Sequence, residues 1–515
     1  MQATRSAGSG DRGNLRQFTI DNPAPTRYTG CMRRTLLAVL IPVLALLLAP
    51  PAFAQDTAAP TARDAKVAFL KEAAVPIRTI EPADEDFADL EPLIPLIGNA
   101  RVVLLGEQTH GDGACFLAKS RLIKFLHQKM GFDVLAFESG MFDMAWVDEG
   151  MRNNAPLSEA HQRGLFGIWA ASEQCRELLE YVRDSNRTER PVELAGFDSQ
   201  FSSHNARDDF PRAVEVFFRK AGPDILPTEQ RDAVKNLSKW LAEYDEGPTS
   251  RPTEQMKAVE GVIKTLDEKR EILTRVHAPR DIDFMRRCLK NQLAFTEQLR
   301  IQRVRSRDAG NIRDAAMGEN LAWLADDYYK GRKVIVWAAS YHNIYDAPKA
   351  ALNGNAEFYD KTITMGHTAR KQLGDAMYSV MFLAHHGKIG RPWSGSNPIQ
   401  KAPADTLDAM LHEAGLGFAY LDLKTASGKA GGAWLKEPLT ARPLGYAPCT
   451  ANWTKQCDAF FFTDEMTPST LRREPKKRVP NTETRRDGEG KGEENKDAKA
   501  EHEPRREDLN KEDDH

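Results

Sequence analysis

The sequence predicts an α/β protein: a mainly parallel sheet flanked by helices, with a helical insertion. Three observations predict it. Four apolar runs each end in, or just before, an acidic residue or a histidine. Helical patterns separate at least the first three runs, and a long charged helical stretch interrupts the series. Parallel strands joined by crossover helices give this alternation and bring their carboxyl ends together.

The first run, residues 102–105 (VVLL), is apolar and half β-branched, as a buried strand requires. It ends at Gly106, and Glu107 and His110 follow in a glycine-flanked turn before a helical pattern over 114–129. Open α/β sheets bind ligands at the carboxyl ends of their strands. A histidine there can take a proton from water and return it near neutral pH. Residues 134–137 end in Glu138, the apolar stretch after Val192 ends in Asp198, and residues 334–337 lead closely to His342. Each residue also has a purely structural reading. Glu107 and His110 read as caps of the next helix, and Asp198 as a helix N-cap or turn residue. Glu138 reads as a buried ion-pair partner and His342 as a loop histidine.

With GEQTHGDG, GFDVLAFESG, AGFDSQ and RDAAMGENLAWL leading into VIVWAASYHN, residues 77–462 resemble the erythromycin esterase-like family. The resemblance implies an α/β core with a helical insertion. It also implies a hydrolase in which histidine activates water against a cyclic ester, without a serine nucleophile. By position it makes His110 the general base, with Glu107 orienting or charge-balancing it. Glu138 would line the same pocket, and His342 would match the last histidine of the family's W-A-H-N-x-H segment. The chain departs from the pattern at Ala339 and Ser340, where the family has His-Asn, and at Ala114, where it has glutamate. Lys119 stands nine residues after His110, where the family has arginine, and Arg121 follows two further on. Lysine keeps the charge without the bidentate fork. Lys119, Arg121 and Asp198 are the expected substrate-binding residues.

The 515 residues, 41% hydrophobic and 28% charged, suffice for a sizeable core. A net charge of −3 gives no electrostatic case for nucleic acid as a partner. Met32-Arg33-Arg34, an apolar core over 36–48 and Ala52-Phe53-Ala54 before Gln55 form a secretory signal pattern. The core is shorter than the ~20 residues of a comfortable membrane span. The sequence therefore predicts a periplasmic or secreted protein with no membrane span after cleavage. Residues 1–31 read as an upstream extension from a misassigned start, and 32–54 as the leader. The esterase-like core occupies 55–206 and 306–465, around an insertion at 207–305. Residues 466–515, charged and poor in large apolar groups, read as a disordered tail.

In the insertion, Met256, Val259, Ile263 and Leu266 recur at helical spacing, as do Met285, Leu289 and Leu293. Such a stripe reads as core packed over the sheet's ligand face; the resemblance adds a lid as a second reading. Strand-like runs resume at 362–365, 378–383, 418–423 and 459–463. Of the adjacent His385 and His386, at most one points to the pocket if the strand pleat continues. Cys449 and Cys457 lie close enough in sequence for a bridge in an oxidising compartment. There is no HExxH, no GxSxG, no GxxxxGK[ST] and no CxxC pair. These absences argue against a zincin, a serine α/β-hydrolase, a P-loop enzyme and a zinc ribbon. The leading expectation is a cofactor-free hydrolase of a small-molecule ester or lactone. The alternative is a metal-dependent hydrolase or metal-binding protein, with Glu107, His110, Glu138 and His342 around a divalent transition metal.

Overall fold

A computed structural model describes residues 61–473 apart from 204–205 and 245–251. The leader, the upstream extension and most of the charged tail lie outside the described residues. Seven strands carry the central sheet: β1 Val102–Glu107, β2 Val134–Gly140, β3 Glu193–Asp198, β4 Val334–Ala339, β5 Met377–Ile389, β6 Phe418–Asp422 and β7 Ala459–Met466. Their spatial order is β6-β7-β5-β1-β4-β2-β3, with β6 antiparallel and the rest parallel. Val75–Pro76 and Asn397–Ile399 add short antiparallel pieces.

All six β1 residues are buried, as expected for an apolar strand with neighbours on both sides. Its last residues are level with those of β4: Gly106 faces Ala338 and Glu107 faces Ala339. Gly140 of β2 faces Asp198 of β3. The carboxyl ends therefore form one edge. Gly106 is required there, because a Cβ would come within 2.8 Å of Ser340 in the short helix Ser340–Asn343.

Helix α1 (Gly113–Met130) connects β1 to β2 and stops at Gly131, which adopts φ 78° at the C-cap. Helices α2 (Met141–Arg152) and α3 (Arg176–Ser185) lie between β2 and β3. Residues 206–302 contain α4 (Ala206–Ala221), α5 (Thr228–Ala242), α6 (Thr253–Glu268) and α7 (Pro279–Gln302). Val259, Leu266, Met285 and Leu289 of this stretch share one apolar cluster with Val102, Leu104, Val134 and Ala136 of the sheet. The opposite residues of the same strands, Val103, Leu105, Leu135 and Phe137, pack with α1 and α3. Helix α8 (Ser306–Trp323) leads into β4.

Three expectations need correction. Residues 362–365 are not a strand: Thr364 caps helix α9 (Met365–Leu373), its hydroxyl accepting the His367 N–H and donating to the Ile344 carbonyl. Cys449 and Cys457 are buried, free thiols. The tail does not begin at 466, because residues 467–472 pair along the core. Ser469 N–H bonds the Gly111 carbonyl at 3.0 Å, and Arg472 N–H bonds the Ala171 carbonyl at 2.7 Å. These are backbone bonds, so the segment docks without an apolar pattern. Among the described residues no helix is long and apolar enough to cross a membrane.

Candidate active site

All the sequence-predicted residues except Arg121 gather at the carboxyl edge, in two connected groups. The first is centred on Glu107, fully buried at the end of β1. Its Oε1 meets His110 Nδ1 at 3.2 Å and accepts the Trp169 indole N–H at 3.1 Å. Its Oε2 accepts the Lys119 ammonium, which also donates to the Ala338 carbonyl at 3.2 Å and lies over the Trp337 ring. A carboxylate only accepts, so the His110 Nδ1 carries the hydrogen facing Glu107, and in the neutral ring the lone pair is then on Nε2. The His110 side chain is 23% exposed, and its ring meets Trp169 edge-on.

The turn itself is held by Asp112, which accepts Thr109 N–H at 2.8 Å, Thr109 Oγ1 at 2.6 Å and the Tyr446 hydroxyl at 3.0 Å. Burial raises the Asp112 carboxyl to about 6 against those bonds.

The second group is centred on Glu138 at the end of β2. Its Oε1 accepts Arg313 Nη2 at 3.0 Å and lies 3.1 Å from His342 Nε2; its Oε2 accepts the Ala339 N–H at 2.9 Å. His342 Nδ1 meets Asp314 Oδ1 at 2.8 Å. Both ring nitrogens therefore face carboxylates and both donate. Burial opposes charge on this ring, but Asp314 and Glu138 outweigh it and raise the imidazole to about 10. Burial likewise opposes the Glu138 carboxylate, yet His342, Arg313 and His110 hold it well below its ordinary range. Asp198 is fully buried; its Oδ2 accepts Arg313 Nη2 at 2.6 Å and its Oδ1 accepts Gln200 N–H at 3.0 Å. Strand β4 joins the two groups, with the Ala338 carbonyl turned to Lys119 and the Ala339 N–H to Glu138. Ala339 thus contributes its backbone where the family pattern has a histidine side chain.

Arg121, expected to bind substrate, is not in this group. It is buried beneath the 79–89 segment, pairs with Asp89 at 2.7 Å and bonds the Thr79, Asp84 and Asp86 carbonyls. Lys119 and Arg121, two residues apart at 3.6 residues per turn, point to opposite sides of α1, and Arg121 meets an acidic loop. Lys119 and Asp198 are in the group but fully buried, so they hold Glu107 and Arg313. Sequence reasoning missed Trp169, Asp112, Arg313 and Asp314 as site residues. Asp112 and the Arg313-Asp314 pair lie inside motifs already singled out. Trp169, 62 residues from Glu107, carries no local signal.

His385 and His386 gather with His412 and Asp464. The His385 and His386 Nδ1 atoms are 3.2 Å apart, so strict alternation does not continue to this strand end.

The profile of the family described as erythromycin esterase matches residues 127–466, beginning beyond the Glu107–His110 turn. "Putative hydrolase YbfO" of Bacillus subtilis (strain 168) is 24% identical over 464 residues, covering 85% of this chain and 100% of that protein. Erythromycin esterase type II of Escherichia coli is 36% identical over 161 residues, 31% of this chain and 37% of that enzyme. The solved structure of a mutant of the erythromycin esterase EreC, in its open conformation, superimposes with a TM-score of 0.59 at 16% identity, over 75% of this chain and 96% of that one. With two thirds of its length matched by the profile, the chain belongs to the erythromycin esterase family.

Proposed function

We propose that this protein hydrolyses an ester or lactone of a small molecule, with water activated by His110. One observation carries the reading. The two site histidines are in opposite states: His342 has both nitrogens on carboxylates, whereas His110 has one nitrogen on Glu107 and a partly exposed ring. A general base needs a free lone pair within reach of water. His110 Nε2 takes a water proton as the oxygen bonds to the carbonyl carbon, and the carbonyl π pair moves to oxygen. The C–O bond to the leaving alkoxide then breaks, and the alkoxide takes the proton back from Nε2. Glu107 stabilises the transient imidazolium. Arg313, 20% exposed, is the cation of this group that would meet the carbonyl oxygen, since both His342 nitrogens are held by carboxylates.

The metal reading uses the same residues. Against it, Glu107 is paired with Lys119, and Glu138 with Arg313 and His342, so both carboxylates are already charge-balanced. The test is a panel of esters and lactones, assayed before and after exhaustive chelation. His110→Ala should lower turnover by about 10²–10⁴-fold with the fold intact, and Glu107→Gln should impair it as well. Wild-type rates for His110→Ala would remove the base; activity lost on chelation and restored by metal would favour the metal reading. Export rests on the leader sequence, and the amino terminus of exported protein should be Gln55. Retention of residues 32–54 would defeat that assignment.

A further inference from the structure

We propose that His385, His412 and Asp464 bind one divalent transition-metal ion of the zinc class, in a site that uses none of the residues assigned to hydrolysis. The three donors come from different elements: His385 from the carboxyl half of β5, His412 from the last turn of α10 (Leu407–Glu413), and Asp464 from β7. Their ligand atoms lie within 4.8 Å of one another, and no other group of three His, Cys, Asp or Glu residues meets that spacing among the described residues. His412 Nδ1 is 2.7 Å from Asp464 Oδ1, and His385 Nδ1 is 4.0 Å from the same oxygen. A tetrahedral zinc ion with bonds of roughly 2.0–2.1 Å sets its donors about 3.3 Å apart, a value these two distances bracket.

The frame around the cluster is built. Strands β5 and β7 pair on both sides of it, Ala384 with Thr463 and His386 with Glu465. The Asp464 N–H is fixed to the Gly417 carbonyl at 2.8 Å, and buried Arg442 holds the His385 carbonyl at 2.9 Å. The His385 and His412 rings are stacked 3.8 Å apart at 11°, with both Nδ1 atoms toward the carboxylate. His386 brings a third imidazole, its Nδ1 3.2 Å from that of His385. Two imidazoles with one carboxylate suit a borderline divalent cation. His385 is nearly buried, while His412 and Asp464 are 43% and 30% exposed, so an ion enters from solvent with small side-chain rotations.

The test is zinc titration of the chelator-stripped full chain, followed by calorimetry and thermal melting. One saturable equivalent and a raised melting temperature are expected. His412→Ala, at an exposed position, and Asp464→Asn should weaken binding at least about tenfold. His110→Ala and His367→Ala should bind like wild type; His367 instead contacts the Tyr345 carbonyl. Absence of saturable binding overturns the proposal, as does undiminished binding by His412→Ala. Binding lost in His110→Ala and kept in His412→Ala also overturns it, by placing the ion at Glu107. The same variants separate this site from the hydrolytic reading, since His412→Ala should leave ester turnover unchanged.

Discussion

His342 bridges Asp314 and Glu138 through its two nitrogens, and its charge is what lets two buried carboxylates and Asp198 sit around one arginine. Removing one partner of a buried pair costs about 3–5 kcal/mol, because the other charges are left uncompensated. His342→Gln should therefore destabilise the fold by that order at pH 6. The pH dependence has a definite sign. The folded-state value is raised from 6.5 to about 10, so the charged ring's contribution is complete below 6.5 and is lost as pH rises through 10. Glu138 is held low, so its share persists above about 4.5 and fades only in stronger acid. Urea melts of wild type and His342→Gln across pH 5.5–10.5 should show the gap narrowing on the alkaline side. A gap constant to pH 10.5 would mean the ring is neutral in the fold. At this scale Glu107, His110, Glu138 and His342 were legible because each sits at a strand end. Arg121 was misread because its partner loop, 79–89, precedes the motif and has no spacing relation to it. Trp169 and Asp314 reach the site only through folding.

The short segment 467–472 closes the element that carries His110. Thr467 O accepts Ala114 N–H, Ser469 N–H bonds Gly111 O, and Thr470 O accepts Glu173 N–H. Ser469 Oγ donates to Ser172 Oγ at 2.8 Å. The strap thus clasps the Gly111–Ala114 turn to the 170–174 turn next to Trp169. Gly113 has to lack a Cβ, since one would collide with the Pro468 carbonyl. Two truncations separate strap from tail. Ending the chain after Arg473 should leave the melting temperature and turnover unchanged. Ending it after Met466 removes several bonds worth on the order of 0.5–1.5 kcal/mol each, so stability and turnover should both fall. Equal melting temperatures for the two chains would show that the strap contributes nothing. A sequence without apolar periodicity hid this segment, because its attachment is mostly through backbone groups that any residue possesses.

The parallel sheet and its order of acidic and histidine strand ends were readable along the whole chain, since strands buried on both faces must be apolar throughout. The placement of β4 between β1 and β2 was not readable: it depends on pairing across about 200 residues of intervening chain. Nor did periodicity decide whether the 207–305 helices were lid or core. Their stripe residues share an apolar cluster with Val102, Leu104 and Val336, which are themselves in the centre of the sheet. A lid would move as a unit and expose a polar underside; these helices bury the sheet's own apolar face. Leu289, fully buried on α7, tests the difference. Leu289→Ala should cost about 2–5 kcal/mol through lost transfer energy and the cavity it leaves. Unfolding should stay a single transition, with helical and tryptophan signals coincident, because the insertion and the sheet share that core. KM on the best substrate should be unchanged below the melting range. Two separate transitions, or a raised KM with stability intact, would show that the insertion moves independently over the site.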